Sequence, residues 1–248
     1  MIIEEQFSAG GSFVHNLDPR VKIITAILYS AVIAVSSSFS ALLPALGISM
    51  LLTVLGRLSI RKVLGRLLSV NGLIIFLWFF LPFAFKGDPL FTIGPLTGTK
   101  EGVLYVGRIT LKCNAILLAM TALLSTTSIF ALGHALGRLH FPDKIIHLFL
   151  FTYRYIPVIF REYDSLINAM RIRGFIPRTN LHTYRSYAYL VGMLLVRSYD
   201  RAERIHKAML CRGFHGKYYA LSQFSIKTGD IFYLSLMLTA ILGLVILQ

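Results

Sequence analysis

The sequence contains little acidic charge and almost no cysteine, and both shortages exclude classes of protein. Asp and Glu together supply 11 residues, against 25 from Lys and Arg. The two cysteines, Cys113 in an apolar run and Cys211 in a basic segment, form neither a CxxC motif nor a pairing pattern. A disulfide scaffold and a thiolate metal site are therefore not indicated.

Motifs for nucleotide and metal binding are missing as well. Residues 94–100 look superficially like a phosphate loop but lack the GxxxxGK[ST] spacing, so we interpret them as a turn. Several histidines have neither an HExxH motif nor a Cys/His cluster beside them, so we expect interfacial histidines and no metal site in this chain. They are His15, His134, His140, His147 and His215.

Apolar residues dominate what is present. They make up 56% of the chain, and the mean hydropathy is +0.69, above the roughly 45 to 50% apolar content of soluble domains. A chain of 248 residues has room for about five spans of about 20 residues each. The net charge of +14 does not indicate nucleic acid, because Lys and Arg are confined to particular loops. We expect an all-α membrane protein whose partner is the lipid bilayer.

Five apolar runs predict the spans, in residues 21–39, 41–55, 70–85, 102–132 and 229–248. The first run also resembles a signal peptide, because small residues follow it, but we interpret it as a retained span. The Gly/Pro-rich stretch 87–102 is predicted to be an external loop. Residues 1–132 then form an N-terminal membrane region, 133–228 a basic domain, and 229–248 the last helix.

The distribution of positive charge predicts the orientation. A basic cluster separates the second and third spans, and Arg20 and Lys22 lie at the start of the first, so we expect both places to be cytoplasmic. The cluster consists of Arg57, Arg61, Lys62 and Arg66. Arg108 and Lys112 lie inside the fourth run, where two readings stay open. They either snorkel or face the bundle interior, or they contact a partner membrane subunit.

Most of the remaining positive charge lies between His134 and Lys227. Two apolar stretches there, Ile145 to Tyr153 and Ala188 to Val196, are shorter than a span and are flanked by charge. We therefore expect two short buried or interfacial helices at these places.

The same segment contains an internal repeat. Residues 169–175 and 208–214 both read Ala-Met-x-x-Arg-Gly-Phe, and an acid precedes each alanine at the same offset, Asp164 and Glu203. Each copy is predicted to end an amphipathic helix. The apolar positions are Ile159, Tyr163, Leu166 and Met170 in the first copy and Leu195, Tyr199, Ala202 and Met209 in the second. On the second helix we expect the i, i+4 ion pairs Asp200–Arg204 and Glu203–Lys207.

Glycine after arginine predicts a left-handed residue that ends each helix, with Arg173 and Arg212 in the last turn. One interpretation is that the arginines only complement the helix dipoles. The other is docking of a partner, because a guanidinium holds a carboxylate bidentately and keeps its charge when partly buried. Repetition of the pair on two helices favours docking.

These residues resemble the T components of energy-coupling factor (ECF) transporters over nearly the whole chain. The stretch His15-x-Leu-Asp-Pro-Arg-x-Lys22 is similar to the family's N-terminal signature, and the two arginine-glycine sites are similar to its paired Ala-Arg-Gly motifs. Ile172 and Cys211 stand where the family has alanine. Tyr153-Arg154-Tyr155 and the stretch 212–216 look most like the cobalt-type branch, CbiQ.

The resemblance implies a non-catalytic coupling subunit of an ATP-driven importer for cobalt or nickel ions. Two partner ATPase subunits would bind ATP and Mg, with no cofactor in this chain, and a CbiM-like S component would bind the substrate. The implied docking residues are Arg171, Arg173, Gly174, Arg212 and Gly213, and the supporting residues are Asp164, Met170, Glu203 and Met209. The implied location is the cytoplasmic membrane of a bacterium or archaeon, with the N-terminus and residues 133–228 cytoplasmic.

Three alternatives stay open. The chain could be a T component shared by vitamin importers, which uses the same coupling. It could instead be a membrane-embedded enzyme acting on lipid head groups, although Asp164 and Glu203 look like ion-pairing rather than catalytic carboxylates. It could also be an electrostatic anchor on anionic lipid, which needs positive charge but no matched arginine and glycine.

Overall fold

The structure is a computed structural model that describes residues 10–12, 14–84, 89–93, 96–139, 141–214 and 227–248. The described residues form eight helices and one β-hairpin. In chain order these are α1 (Pro19–Val35), α2 (Phe39–Leu55), α3 (Ile60–Ala84), β1 (Pro89–Ile93), β2 (Leu96–Thr99), α4 (Lys100–Leu123), α5 (Ile129–Arg138), α6 (Asp143–Ile172), α7 (Leu181–Cys211) and α8 (Thr228–Ile246).

The contacts within the chain define two compact units. The bundle unit comprises Glu5–Ala135 and Phe224–Gln248, and the two-helix unit comprises Met1–Glu4 and Leu136–Gln223. The functional division of the sequence at residues 132 and 228 stays a prediction.

The helical fold class is confirmed, with fewer clear spans than the five predicted. Among the described residues, α3, α4 and α8 are long and apolar enough to cross a membrane. Helix α2 is apolar but has 17 residues. Helix α1 also has 17 residues and carries Arg20 and Lys22 in its first turn.

The prediction of one span over residues 102–132 was wrong. Helix α4 ends at Leu123, and α5 begins only at Ile129. The intervening hydroxyl groups bond to the backbone: Thr126 donates to the Ala122 carbonyl at 2.9 Å, and Ser128 accepts from the Ala131 N–H at 3.3 Å. Such local side-chain bonds compete with the helical ladder, which explains the break.

Other boundaries also differ from the predictions. The two stretches expected to be short helices belong to α6 and α7, which have 30 and 31 residues. Helix α3 begins ten residues before the predicted third span, because the basic cluster is helical from Ile60 onwards. The predicted loop 87–102 contains the antiparallel hairpin of β1 and β2; residues 85–88 and 94–95, and with them part of the predicted turn, lie outside the described residues.

Helix α4 is central to the bundle unit, where it packs against α1, α2 and α3, while α8 packs against α1 and α2. Buried small residues line these contacts and let the helix backbones approach closely. They are Ala26, Ala41, Ala45, Ala115, Ala119 and Ala122. Tyr29 fills the space beside them and donates its hydroxyl to the Ala45 carbonyl.

Three buried charged residues join the beginnings of α1 and α8. Asp230 accepts from the Asp18 N–H at 3.0 Å and from the Lys227 N–H at 2.8 Å. Lys22 is 0% exposed, and its Nζ donates to Thr127 Oγ1 at 2.9 Å. Both carboxylates attract this ammonium group. Lys22 therefore lies in the core of the bundle unit, and the cytoplasmic side predicted for this end of α1 stays a prediction.

We expect Lys22→Met to destabilise the bundle unit strongly. Removing one member of a buried charge cluster leaves the others uncompensated, at a cost of about 3 to 5 kcal/mol. Thermal unfolding of the purified protein in detergent measures the effect. Arg61→Met, which removes an exposed charge from the first turn of α3, is the matched control. If both variants unfold at the same temperature as the parent protein, the cluster contributes nothing to stability.

Candidate functional site

The site belongs to the two-helix unit, whose long helices both end at the repeat. Helix α7 begins at Asn180, whose Oδ1 accepts from the Thr183 N–H at 2.9 Å and caps the helix. Helix α6 follows Pro142 and carries Asp143 in its first turn, where a negative charge complements the helix dipole.

Helices α6 and α7 end in the same hydrogen-bonded motif. At the end of α6 the Phe175 N–H donates to the Met170 carbonyl at 3.1 Å, and the Gly174 N–H donates to the Arg171 carbonyl at 3.0 Å. At the end of α7, Phe214 donates to Met209 at 3.1 Å and Gly213 donates to Leu210 at 3.0 Å. This pair of bonds defines a Schellman motif.

The motif explains most of the repeated residues. Gly174 and Gly213 have φ angles of +79° and +77°, in the left-handed region that only glycine adopts without strain. The predicted helix stops are therefore confirmed. Methionine and phenylalanine occupy the two positions whose apolar contact usually accompanies a Schellman motif. The arginine has no part in this pattern of bonds beyond its backbone.

Arg173 and Arg212 are the C-cap residues of their helices, one position beyond the predicted last turn. Both are exposed, and within the described ranges neither guanidinium takes part in a hydrogen bond or an ion pair. Exposed apolar side chains lie close in sequence, Ile172 at 88% and Leu210 at 53%. Arg171 is also exposed. Each helix end thus presents a cation beside apolar surface.

Glu162 joins α6 to α7 at a distance from these ends. Its carboxylate pairs with Arg197 and, at 3.4 Å, with Arg201. The two arginines are one turn apart on α7, so both can reach the same carboxylate. No local pattern in the sequence predicts this contact, because it joins two segments that are distant in the chain.

The two members of the 3.4 Å pair occupy equivalent positions of the repeat. Glu162 lies eleven residues before Arg173, and Arg201 lies eleven residues before Arg212. The same number of residues therefore separates this contact from each terminal arginine. At 1.5 Å per residue, each arginine lies roughly 16 Å along its helix from this pair.

A groove of about 320 Å³ accompanies the crossing. Its lining includes three further pairs of equivalent residues. They are Tyr155 with Leu194, Val158 with Arg197, and Ile159 with Ser198. Most of the remaining lining is apolar, so the Glu162 pairs lie beside surface of low polarity.

Two residues of the predicted apolar face of α7, Leu195 and Tyr199, are 66% and 71% exposed. A more buried stripe meets α6 and shares only Met209 with the predicted face. That stripe is Leu190, Leu194, Ser198, Arg201, Ile205 and Met209. Apolar periodicity does not identify the stripe that meets α6, because this stripe contains a serine and a charged arginine.

The acidic residues of the repeat have different surroundings. Glu203 pairs with Lys207 at 2.6 Å, as predicted. The expected Asp200–Arg204 pair is not formed, and Asp164 is exposed and forms no ion pair within the described part of the chain. Met170 is half-buried and Met209 lines the groove. His140 and His215 lie outside the described residues.

Comparison with known proteins identifies the family of this chain. Residues 10–223 match the family model of CbiQ, described as a cobalt transport protein. This match covers most of the chain, including both helix ends. The chain belongs to the CbiQ family.

Curated relatives of this CbiQ-family chain carry the name energy-coupling factor transporter transmembrane protein EcfT. The protein from Brevibacillus brevis is 28% identical over 222 residues, which cover 85% of this chain and 84% of the relative. The protein from Thermosediminibacter oceani is 28% identical over 223 residues, covering 85% and 83%. The protein from Streptococcus equi subsp. equi is 26% identical over 226 residues, covering 87% and 84%. The resemblance to ECF T components is confirmed, and the chain is a membrane protein.

We expect Gly174→Ala to loosen the end of α6. Alanine at a positive φ costs about 1 to 2 kcal/mol, and no atom lies within 4 Å of the added Cβ, so the effect comes from backbone strain alone. Hydrogen exchange of the Phe175 amide, which donates to Met170, should speed up. Gly192→Ala in the interior of α7 is the control, because its Cβ also meets nothing. Equal exchange in both variants would contradict the motif's role.

Proposed function

We propose that this chain is the coupling subunit of an ATP-driven ECF importer, and that Arg173 and Arg212 each dock on one of two partner ATPase subunits. The observation that carries the proposal is the Glu162–Arg201 contact between equivalent positions of the repeat. Two matching helix ends, each eleven residues beyond the same contact, suit a partner that is itself a pair. ATP and Mg would be bound by that pair, and this chain would have no catalytic role.

Arginine is suited to the docking role. The Schellman motif accounts for the glycine, methionine and phenylalanine of each copy, so capping does not explain why arginine recurs. A guanidinium can hold a carboxylate of the partner through two parallel hydrogen bonds. Ile172 and Leu210 would be covered in the same contact, and Gly174 and Gly213 would hold the backbone turn that presents the arginines. Arg171 adds a second cation at the first helix end.

The Glu162 contacts would make α6 and α7 move as one body. When the ATPase pair closes on ATP, the separation of its two docking sites changes, and the coupled helices must follow. ATP binding would thereby select one of two arrangements of a bistable element. A crossing held by one carboxylate and two arginines transmits this movement without a change in either helix.

The exposed apolar residues of α6 and α7 would contact a separate substrate-binding membrane subunit. Leu195 and Tyr199, which the crossing leaves exposed, belong to this surface. Its further members are Ile159, Phe160, Tyr163, Tyr189, Val191, Met193 and Val196. Burial of such a surface is favourable, at about 25 cal/mol for each Å² of apolar area removed from water.

The cargo we propose is cobalt or nickel ions, delivered by a CbiM-like subunit. Support comes from the family description and from Tyr153-Arg154-Tyr155 on α6. A vitamin cargo is the second candidate, because the curated relatives are named EcfT and the cobalt and vitamin branches share the same coupling. We place the protein in the cytoplasmic membrane of a bacterium or archaeon, with the N-terminus and the two-helix unit cytoplasmic, on the excess of Lys and Arg in residues 133–228.

Charge reversal at the two helix ends tests the docking. We expect Arg173→Glu or Arg212→Glu to weaken copurification of the ATPase, and the double variant to abolish it together with transport. The matched control is Arg204→Glu, which reverses an exposed charge within α7. Stoichiometric ATPase with the double variant would refute the mechanism.

A conservative substitution separates docking from an electrostatic anchor. Lysine keeps the charge but loses the planar fork that binds a carboxylate bidentately. Arg173→Lys with Arg212→Lys should therefore reduce ATPase binding by about tenfold or more, since the lost interaction is worth roughly 1.5 to 3 kcal/mol. Unchanged ATPase binding in this variant would favour the anchor.

A further inference from the structure

Two cations of α4 lie against the link between α1 and α2. Lys112 donates its Nζ to the carbonyl of Ala34 at 2.8 Å, and the Arg108 guanidinium lies over the Phe39 ring at 5.3 Å from its centroid. Ala34 lies in the last turn of α1, where carbonyls lack helical partners and a cation is favourable. Both side chains are half-buried. Both cations therefore contact other helices of the bundle unit.

This arrangement leaves donors without acceptors. The Nε atom of Arg108 and the hydroxyl of Ser36, which ends α1, are both buried and have no hydrogen-bond partner in the structure. Ser36 is 3% exposed. Buried polar atoms are normally hydrogen-bonded to protein or to ordered water. Arg108 and Lys112 lie one turn apart on α4 and both donate hydrogen bonds, which suits an anion rich in oxygen.

The described residues of the bundle unit provide no nearby counter-charge for these cations. The acids among the described residues of the bundle unit are Asp18, Glu101 and Asp230. Asp18 and Asp230 lie at the beginning of α1, about 25 Å along that helix from its end. Glu101 lies seven residues before Arg108 on α4, and neither cation forms an ion pair within the described ranges. Placing two cations without an ion pair in an apolar helix bundle costs free energy unless an anion binds beside them.

Three helices of the bundle unit begin or end at this link. Helix α1 ends here, α2 begins here, and the end of α8 lies beside them, where Ser38 and Ser40 both donate to the Leu247 carbonyl, at 3.2 and 3.0 Å. Helices α1 and α2 each have 17 residues and span about 25 Å, less than a hydrocarbon core of about 30 Å. A short helix draws the lipid head groups towards its ends.

Exposed apolar side chains adjoin the cations. Val35 is 77% exposed, and Leu43 and Leu104 are exposed on α2 and α4, one turn from Phe39 and Arg108 respectively. We infer that Arg108 and Lys112 bind the phosphate of an anionic phospholipid, whose acyl chains cover this apolar surface. Free phosphate would use the same donors but would leave Val35, Leu43 and Leu104 uncovered.

Native mass spectrometry of the purified complex in detergent tests the site. With phosphatidylglycerol and phosphatidylcholine added in equal amounts, the wild-type chain should retain one phosphatidylglycerol in preference. Phosphatidylcholine carries the same phosphate without a net charge. At about 1 kcal/mol for each cation, Arg108→Gln should reduce the preference about fivefold, and adding Lys112→Gln should reduce it about fivefold again. Inorganic phosphate should not displace the lipid.

Matched variants keep the test decisive. Arg61→Gln removes one exposed charge from α3 and should retain the preference, as should Arg108→Lys. Because Lys112 also bonds to Ala34, Lys112→Arg is a second variant that keeps both the charge and a donor. Equal retention of the two lipids by the wild type, or an unchanged preference in Arg108→Gln, would overturn the inference.

Two other results would also overturn it. Release of the retained lipid by inorganic phosphate would assign the site to a soluble anion. Loss of a copurifying membrane subunit from Arg108→Gln, with lipid binding unchanged, would assign the cations to a carboxylate of that subunit.

Discussion

Glu162 holds the two long helices together at equivalent points of an internal repeat. The contact with Arg201 fixes where α6 and α7 cross, and the repeat then fixes how far each helix continues beyond that point. Because eleven residues separate each member of the pair from its terminal arginine, the two helix ends are placed by one ion pair and by the regular rise of the helices. The geometry of the site depends on this one crossing.

Helix capping explains the glycine, methionine and phenylalanine of the repeat but not its arginine. A Schellman motif needs glycine at one position and favours apolar residues at two others, and both copies supply them. The motif needs no arginine. A side chain that recurs without a structural requirement, at the exposed end of a helix beside apolar surface, is best explained by a partner.

Prediction from the sequence succeeded for features that depend on neighbouring residues. The helical class, the ends of α6 and α7, and the Glu203–Lys207 pair depend on residues within a few positions of one another. It failed where distant segments meet. The Glu162 pairs, the burial of Lys22 between Asp18 and Asp230, and the face of α7 that meets α6 all depend on tertiary packing. The break after Leu123 was missed because hydroxyl groups, and not glycine or proline, end that helix.

The repeat itself supplies the most direct measurement of the central claim. Cys211 is a natural exposed cysteine next to Arg212, and Ile172 is its equivalent next to Arg173. In a Cys113→Ala background, a thiol-reactive photo-cross-linker at Cys211 should capture one ATPase chain, and the pair Cys211→Ser with Ile172→Cys should also capture one. With cysteine at both positions, the account predicts capture of two ATPase chains by one molecule of this protein. Capture at only one of the two helix ends would contradict it.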